Sequence, residues 1–299
     1  MFRLHSILFF SFFASSQVQV TEIDNLTYRN TPLRDVSGKV NTIVNGYLKE
    51  VAQQANRTGN CNERRLRYLL AKRIGTGFVS EIEKEIESDK TIDQVFTKRK
   101  NSIYRDFKIY EAPGIFAINF GSLLNVNGFI VGTDKIGHFL GTGFSYYKRV
   151  HYRGKTVGQA LAFGEKTERT YYGMMLNGVY SYGDLAANYD GFKFWERVIG
   201  SAEKDAAEPY LRCQDNRWVQ NDTFDIADYI NSAWDEGINC NRYRSKKMLR
   251  KVTRRMTLLE NTNHATYVCP IAPQECDSLI ERYGEAANSV ITPACFNRN

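Results

Sequence analysis

Residues 134–150 read DKIGHFLGTGFSYYKRV, and this segment decides the fold together with TVGQALAFGEKTERTYY (156–172) and YGDLAANYDGFKFWERVI (182–199). We predict one helix in each segment, with a basic turn between the first two and a link rich in glycine and tyrosine before the third. Ser181 is expected to cap the third helix, because Asp184 stands three residues later in the capping-box position.

The first two of these helices are rich in small residues. Gly137 and Gly141 lie in the first helix, and Gly164 lies in the second. A glycine in a helix interior costs about 1 kcal/mol relative to alanine, which indicates a reason in packing or in function. We therefore expect the two helices to approach each other closely.

The same two helices carry polar side chains that this approach would bring together. Asp134 and His138 stand four residues apart on one face, so the carboxylate can orient or charge the imidazole. Glu165 and Glu168 stand three residues apart and share a face of the second helix. Burial of such a cluster would raise the carboxyl pKa values and lower the pKa of the histidine, unless pairing opposes it.

The central segments resemble the VanZ-like family and small bacterial envelope lipoproteins that share its pattern. The matching motifs are Asp134-Lys135-x-x-His138, Glu165-x-x-Glu168 and Ser181-x-x-Asp184-x-x-x-Asn188-x-x-Gly191. They lie within residues 133–195, a fifth of the chain. The chain departs from the family in having Glu168 where glutamine is usual, and in lacking the family's membrane spans. The resemblance implies a link to the bacterial envelope and to glycopeptide tolerance.

A looser similarity is to lysozyme-like glycosidases, which place a general-acid glutamate at a helix end and a second carboxylate beyond the following turn or hairpin. Glu165 would be the acid here, and Asp184 or Glu168 would be the second carboxylate. Glycoside hydrolysis needs one protonated and one ionised carboxyl group, about 5 Å apart for retention or about 6.5–9.5 Å apart for inversion. Aromatic faces for stacking on sugar rings would come from Tyr171, Tyr172, Tyr180, Tyr182 and Tyr189.

Structural and metal-binding explanations of the same residues stay open. A histidine beside an aspartate, as in His138 and Asp134, is also typical of a satisfied structural pair. Asp184 has a role at the cap of Ser181, and Asn188 can be a packing contact. One histidine with three carboxylates could hold a divalent cation. The chain has no HExxH, ExxH or EF-hand pattern, so we expect neither a metal nor another cofactor.

The N-terminus has the pattern of a secretory signal peptide, residues 1–16. A short basic start precedes the apolar run SILFFSFF (6–13), and small residues follow that run. The run is too short to span about 30 Å of hydrocarbon, and no later stretch reaches about 18 uninterrupted apolar residues. We therefore expect a soluble protein that is periplasmic or secreted.

Cysteine usage agrees with export. The six cysteines are Cys61, Cys213, Cys240, Cys269, Cys276 and Cys295. An even number in an oxidising compartment favours three disulfides, although six cysteines allow 15 pairings. Zinc binding is not expected, because the chain has no CxxC pair. Five of the six cysteines follow residue 210, so the C-terminal third is predicted to be the stapled part.

A basic helix is predicted at residues 242–256. Residues 242–255 include eight basic side chains and no acidic one, and the whole chain carries a net charge of +7. Such a run is typical of a solvated outer face, and it would also suit an anionic envelope polymer or peripheral contact with a membrane surface. Nucleic acid is not an expected partner, because export places the protein among phosphate-rich envelope polymers.

We predict a mainly α fold: a multi-helix globular domain with an irregular, disulfide-stapled C-terminal region. With 299 residues the chain can bury a sizeable core. Residues 17–210 would form the helical core domain, and residues 211–299 a Cys-rich basic region packed on it. Residues 101–132 are predicted as loop with one short strand or buried helix. Further helices are predicted at residues 40–55, 63–74, 79–86, 91–103, 202–210, 223–234 and 242–259.

Two functional hypotheses follow from these patterns. One is an exported hydrolase of envelope glycan, such as peptidoglycan, and the other is a non-catalytic, VanZ-like envelope-binding protein whose polar cluster is structural. The catalytic candidates are Glu165, Glu168, Asp184 and His138. The binding candidates are Asp134, Lys135, Tyr172, Ser181, Tyr182 and Asn188.

Overall fold

The fold is mainly α, as predicted. The structure is a computed structural model, and it describes residues 22–75, 81–117, 120–170, 173–200 and 208–297. The predicted signal peptide and Tyr172 lie outside these residues. The helices are α1 Ser37–Ala55, α2 Glu63–Arg73, α3 Glu81–Ser88, α4 Pro113–Ala117, α5 Thr133–Gly137, α6 Gly143–His151, α7 Val157–Arg169, α8 Tyr182–Ile199, α9 Lys246–Asn263, α10 Cys276–Tyr283 and α11 Ala287–Val290. The strands are β1 Val95–Phe96, β2 Ser122–Val126, β3 Phe129–Gly132, β4 Val179–Tyr180, β5 Leu211–Gln214, β6 Arg217–Gln220 and β7 Arg242–Tyr243.

The three predicted central helices are present, and the first has an internal irregularity. A π-helical segment, His138–Thr142, connects α5 to α6. The N-terminus of α7 has a capping box, in which Thr156 is the N-cap and Gln159 is the N3 residue. Ser181 is the N-cap of α8, and its Oγ accepts a hydrogen bond of 3.0 Å from the backbone N of Asp184. The cap expected from the sequence is therefore formed.

Glycines allow the central helices to approach each other closely, as was predicted for the first two. A Cβ atom on Gly164 of α7 would overlap the phenol of Tyr146 on α6. A Cβ atom on Gly191 of α8 would overlap the backbone of Phe139 in the π segment. Gly143 at the start of α6 meets the backbone of Gly191 in the same way. The first central helix thus packs closely on both the second and the third.

A β-hairpin delivers the chain to the first central helix. β2 and β3 pair antiparallel, and the turn residues Asn127 and Gly128 have φ values of 51° and 86°. Two successive positive φ values are what a two-residue hairpin turn of type I′ requires. β3 ends at Gly132 and α5 begins at the next residue, so the hairpin fixes the position of Asp134. Residues 101–132 thus hold this hairpin and α4 in addition to loop.

The predicted helix at residues 91–103 is wrong. The Asp89 carboxylate accepts hydrogen bonds from the backbone N and the hydroxyl of Thr91, at 2.8 and 2.7 Å, and so forms a turn. Val95 then pairs with Leu123 as part of β1, the third strand of the sheet β1-β2-β3. The turn and the strand pairing replace the helix that the apolar spacing indicated.

The predicted helix at residues 223–234 is also wrong, because this segment holds two short 3₁₀ turns, Ile226–Asp228 and Ser232–Trp234. The basic helix begins at Lys246 instead of residue 242, since Ser245 caps it and the preceding strand β7 pairs with β4. Most of the helix predicted at residues 202–210 lies outside the described residues.

The main hydrophobic core draws on both sides of residue 210. The ring of Phe139 lies 5.2 Å from that of Phe194 and 5.3 Å from that of Trp234, measured between centroids. A second, smaller core includes Phe107 and, from α9, Met248. The C-terminal region is therefore packed on the helical region through shared apolar side chains.

All six cysteines form disulfides, as predicted. The pairs are Cys61–Cys213, Cys240–Cys269 and Cys276–Cys295. Two of them close loops within the C-terminal region, and the first ties the start of α2 to β5. Such bonds persist in oxidising compartments. None of the helices in the described part of the chain has the length and apolarity needed to cross a membrane.

Candidate functional site

A fully buried lysine, Lys135, lies at the centre of the polar cluster. Its Nζ lies 2.8 Å from Asp134 Oδ2, 2.6 Å from Asp184 Oδ1 and 2.7 Å from Glu236 Oε1. The side chains of these carboxylates are at most 13% exposed. An ammonium with three carboxylates in a buried position is a charge network that costs much to desolvate and is stable only when its members are paired.

The three carboxylates come from separate parts of the chain. The hairpin places Asp134 at the start of α5, and the cap at Ser181 places Asp184 in the first turn of α8. Glu236 follows the second 3₁₀ turn, where Ser181 Oγ donates to its Oε1 at 2.8 Å. A Cβ atom on Gly183 would lie 3.0 Å from Cε of Lys135, so a larger residue there would crowd the lysine stem.

His138 and Asp184 form the edge of the cluster that reaches solvent. His138 Nε2 lies 3.2 Å from Asp184 Oδ2, and the side chains are 21% and 13% exposed. The other ring nitrogen, Nδ1, lies 3.0 Å from Oδ1 of Asn188, one turn further along α8. Both nitrogens of the imidazole thus face oxygen atoms, and Asp184 bridges the histidine and the lysine.

The π-helical segment begins at His138 and places the histidine opposite α8. The wider turn brings the backbone of Phe139 against Gly191, while the carbonyl of Leu140 accepts a hydrogen bond of 2.8 Å from Trp195 Nε1. Single π turns inside α-helices occur frequently at functional sites. The irregular turn, together with the hydrogen bond to Asn188, fixes the imidazole against Asp184.

Glu168 and Glu22 are buried next to this network. Glu168 is 4% exposed, and its Oε2 accepts a hydrogen bond of 3.3 Å from the backbone N of Ser181. Burial, and then the charge of Asp184, raises the pKa of Glu168 well above its usual value. Burial also raises the pKa of Glu22, with further contributions from Glu236 and Asp184. Burial thus disfavours the charged form of both carboxyl groups.

The two aspartates that share Lys135 are shifted in opposite directions. Burial raises the pKa of Asp134 to about 6, even though Lys135 opposes the shift. Burial would also raise the pKa of Asp184, but His138 and Lys135 outweigh it and lower that pKa below its ordinary value. Burial would lower the pKa of Lys135, but the surrounding carboxylates outweigh it and raise that pKa. Asp184 is thus an anion beside a permanent ammonium, and Asp134 is the aspartate that holds a proton more readily.

The structure brings most of the predicted site residues together. Those in the cluster are Asp134, Lys135, His138, Glu168, Ser181, Asp184 and Asn188. Glu165 points elsewhere on α7 and pairs with Arg169 at 3.2 Å. Tyr182 is buried against Tyr180, with ring centroids 4.9 Å apart, so it presents no open face to a sugar.

Glu236 and Glu22 also belong to the site, although neither was predicted from the sequence. Glu236 contacts Lys135 from more than a hundred residues away in the chain, and no local motif surrounds it. Its one sequence signal is the acidic pair Asp235-Glu236 after a tryptophan. His138 was expected to pair with Asp134, but its Nε2 lies against the carboxylate of Asp184.

A cation could use part of this cluster. Asp134, His138 and Asp184 each offer one donor atom, and these three atoms lie within 4.8 Å of one another. Among the described residues, Asp134 Oδ1 has no hydrogen-bond partner. These donor types suit a divalent ion. The ammonium of Lys135, however, already contacts both aspartates and supplies the positive charge that such an ion would bring.

Comparison of the chain with protein-family models, with curated proteins and with solved structures gives no match.

Proposed function

We propose that the protein is an exported hydrolase of a bacterial envelope glycan, with the Asp134–Asp184 pair as its acid and its ionised carboxylate. One observation carries the proposal: the two aspartates bind the same buried ammonium, and their pKa values are shifted in opposite directions. Glycosidases obtain one proton donor and one anion at the same pH from two carboxyl groups whose pKa values are shifted apart in this way.

The spacing of the pair is compatible with the retaining reaction. One oxygen of Asp134 lies within 4.8 Å of one oxygen of Asp184, and retaining enzymes hold their two carboxyl groups roughly 5 Å apart. Asp184, at the solvent edge, would attack the anomeric carbon, while Asp134 protonates the leaving oxygen. Water would then release the sugar, with Asp134 taking back a proton. Lys135 and His138 would keep Asp184 ionised.

This assignment moves the acid role from Glu165 to Asp134. Glu165 lies outside the network, and its carboxylate is held by Arg169 at 3.2 Å. Glu168 is inside the network, but a Cβ atom on Gly173 would lie 2.6 Å from its Oε2, so the chain covers it closely. His138 and Asp184 are therefore the groups that a glycan would meet first.

Export supports an envelope substrate. The three disulfides fit an oxidising compartment, and the N-terminal sequence predicts a cleaved signal peptide. An exported bacterial protein passes through the compartment that contains peptidoglycan. The resemblance of residues 133–195 to VanZ-like proteins gives further support to the same compartment.

The test is the release of reducing ends from purified peptidoglycan. Asp184→Asn removes the anion and should lower the rate by about 10²–10⁴-fold, the usual contribution of a placed acid, base or nucleophile. Glu165→Gln is the matched control, since it removes a carboxylate from the neighbouring helix and should leave the rate unchanged. Equal losses in both variants, or no turnover by the parent protein, would overturn the proposal.

The second candidate is a non-catalytic envelope-binding protein. It is favoured by the saturation of Lys135, which meets three carboxylates and has no exposed surface. In that case the parent protein would sediment with peptidoglycan sacculi and release no reducing ends. Asp184→Asn would then lower the stability of the fold without abolishing an activity.

A further inference from the structure

A second polar feature lies away from the Lys135 cluster, between residues 105–108 and α9. It is a groove of about 470 Å³ whose walls are cationic. Its basic residues are Arg105, Lys108, Lys247, Arg250, Lys251 and Arg254. We call this feature the basic groove.

Helical spacing aligns one wall of the basic groove. Lys247, Arg250, Lys251 and Arg254 stand three or four residues apart, so they share a face of α9. Met248 and Val252, on another face of the same helix, are fully buried in the smaller core. Phe107 belongs to that core and also lines the groove, so the two walls are held by a common apolar base.

The positive charge of the groove is only partly balanced. Lys251 pairs with the buried Glu111 at 2.5 Å, and Arg105 lies 3.6 Å from Asp106. Within the part of the chain that the structure describes, no acidic side chain forms an ion pair with the remaining four, which are Lys108, Lys247, Arg250 and Arg254. Like charges at helical spacing repel one another, and an anion between them would relieve that repulsion.

Two large side chains that are next to the groove in the sequence are exposed. Ile109 and Tyr110 follow Lys108 directly and are 63% and 69% exposed. The backbone oxygen of Tyr110 accepts a hydrogen bond of 2.9 Å from Arg244, which joins this turn to the residues just before α9. Exposed apolar and aromatic residues next to basic ones are typical of surfaces that enter the interfacial layer of a membrane.

We infer that the basic groove binds the phosphate headgroup of an anionic lipid, with Ile109 and Tyr110 inserted in the membrane interface beside it. Arginine binds phosphate through two parallel N–H donors, and Arg250 and Arg254 stand one turn apart on the wall. The concave shape suits a discrete headgroup, and the exposed Ile109 and Tyr110 distinguish a lipid from a free phosphate. The inference does not depend on the proposed hydrolase.

The test is cosedimentation of the full protein with phosphatidylcholine vesicles that do or do not contain phosphatidic acid. The protein should bind only the vesicles with phosphatidic acid. Arg250→Ala with Arg254→Ala should weaken this binding by about 30-fold, from about 1 kcal/mol for each cation at an anionic surface. The matched control is Arg212→Ala with Arg217→Ala, which removes the same charge from exposed positions on the β5–β6 hairpin and should change the affinity less than about twofold.

A third variant distinguishes the lipid from other phosphates. Ile109→Ser with Tyr110→Ser should weaken vesicle binding while inorganic phosphate still competes for the groove. Unchanged vesicle binding in this variant would overturn the insertion of Ile109 and Tyr110 in the membrane interface. Failure of the parent protein to bind vesicles with phosphatidic acid, while it still binds inorganic phosphate, would overturn the assignment to lipid in favour of a free phosphate. Equal weakening in both double-arginine variants would show diffuse attraction only, and full competition by a DNA duplex would indicate nucleic acid. Thermal melting of each variant checks that it is folded.

Discussion

The ammonium of Lys135 lies 2.6 Å from the Asp184 carboxylate, and this contact joins the first central helix to the third. The same carboxylate lies 3.2 Å from His138, so one side chain connects the buried part of the cluster to its solvent edge. We therefore expect substitutions in the buried part of the cluster and substitutions at its solvent edge to affect catalysis and stability differently.

Lys135→Met should destabilise the protein strongly. Methionine has nearly the same length and volume, but it would leave three buried carboxylates without their common cation. We expect the free energy of unfolding to fall by about 3–5 kcal/mol, as when one partner of a buried ion network is removed. Urea denaturation would measure this change. Lys166→Met, at an exposed position of α7, is the control and should change the stability by less than about 0.5 kcal/mol.

Asp134→Asn should alter the dependence of stability on pH. Because the pKa of Asp134 is raised to about 6 in the fold, the group stabilises the protein at pH values below its unfolded pKa. That stability is lost as the pH rises from about 4 through about 6. Asparagine does not titrate, so the variant should lose about 2 kcal/mol less than the parent between pH 4 and pH 7.

Denaturant melts at the two pH values would test this prediction. Glu165→Gln serves as the comparison, since it removes a carboxyl group outside the network. Parallel pH curves for Asp134→Asn and the parent would show that Asp134 titrates normally.

Gly191→Ala should disrupt the packing of α8 on the π segment. The added methyl group would overlap the backbone of Phe139, which has no flexible end that can move aside. We expect a loss of at least about 1–3 kcal/mol, the usual cost of overpacking. Gly158→Ala, on the exposed side of α7, would meet one atom of the described chain, at 3.9 Å, and should stabilise the helix slightly. Thermal melting compares the two, and a similar small effect in both would refute the close contact.

Removal of the Cys61–Cys213 bond should cost more stability than removal of Cys240–Cys269. The first pair closes a loop with a sequence separation of 152 residues and the second a loop of 29. In the chain-entropy model the longer loop contributes about 1.5 kcal/mol more. Paired serine substitutions at each bond, followed by urea denaturation, would measure the difference. The reverse order would mean that native contacts near Cys240 outweigh chain entropy.

Local patterns predicted the central helices well. The cap at Ser181, the glycines at close approaches and the Asp134–Lys135–His138 spacing are all encoded within a few residues. The helix at residues 91–103 could not be recognised as wrong from its apolar spacing, because pairing of Val95 with the distant Leu123 decides that segment.

The cluster itself was only partly predictable for the same reason. Helical spacing placed Asp134 and His138 on one face, but the choice of Asp184 as partner of His138 depends on how α8 crosses the π segment. Glu236 reaches Lys135 from the C-terminal region, and Glu22 from the start of the described chain. Such long-range contacts have no signature in a single sequence.

The pH dependence of kcat/KM on soluble peptidoglycan fragments tests the central claim most directly. A rate that needs ionised Asp184 and protonated Asp134 should be greatest below pH 6 and fall above about pH 6, where Asp134 loses its proton. In Asp134→Asn the remaining activity should show no such fall. An optimum at neutral or alkaline pH, or the same alkaline fall in Asp134→Asn, would contradict the assignment of Asp134 as the acid.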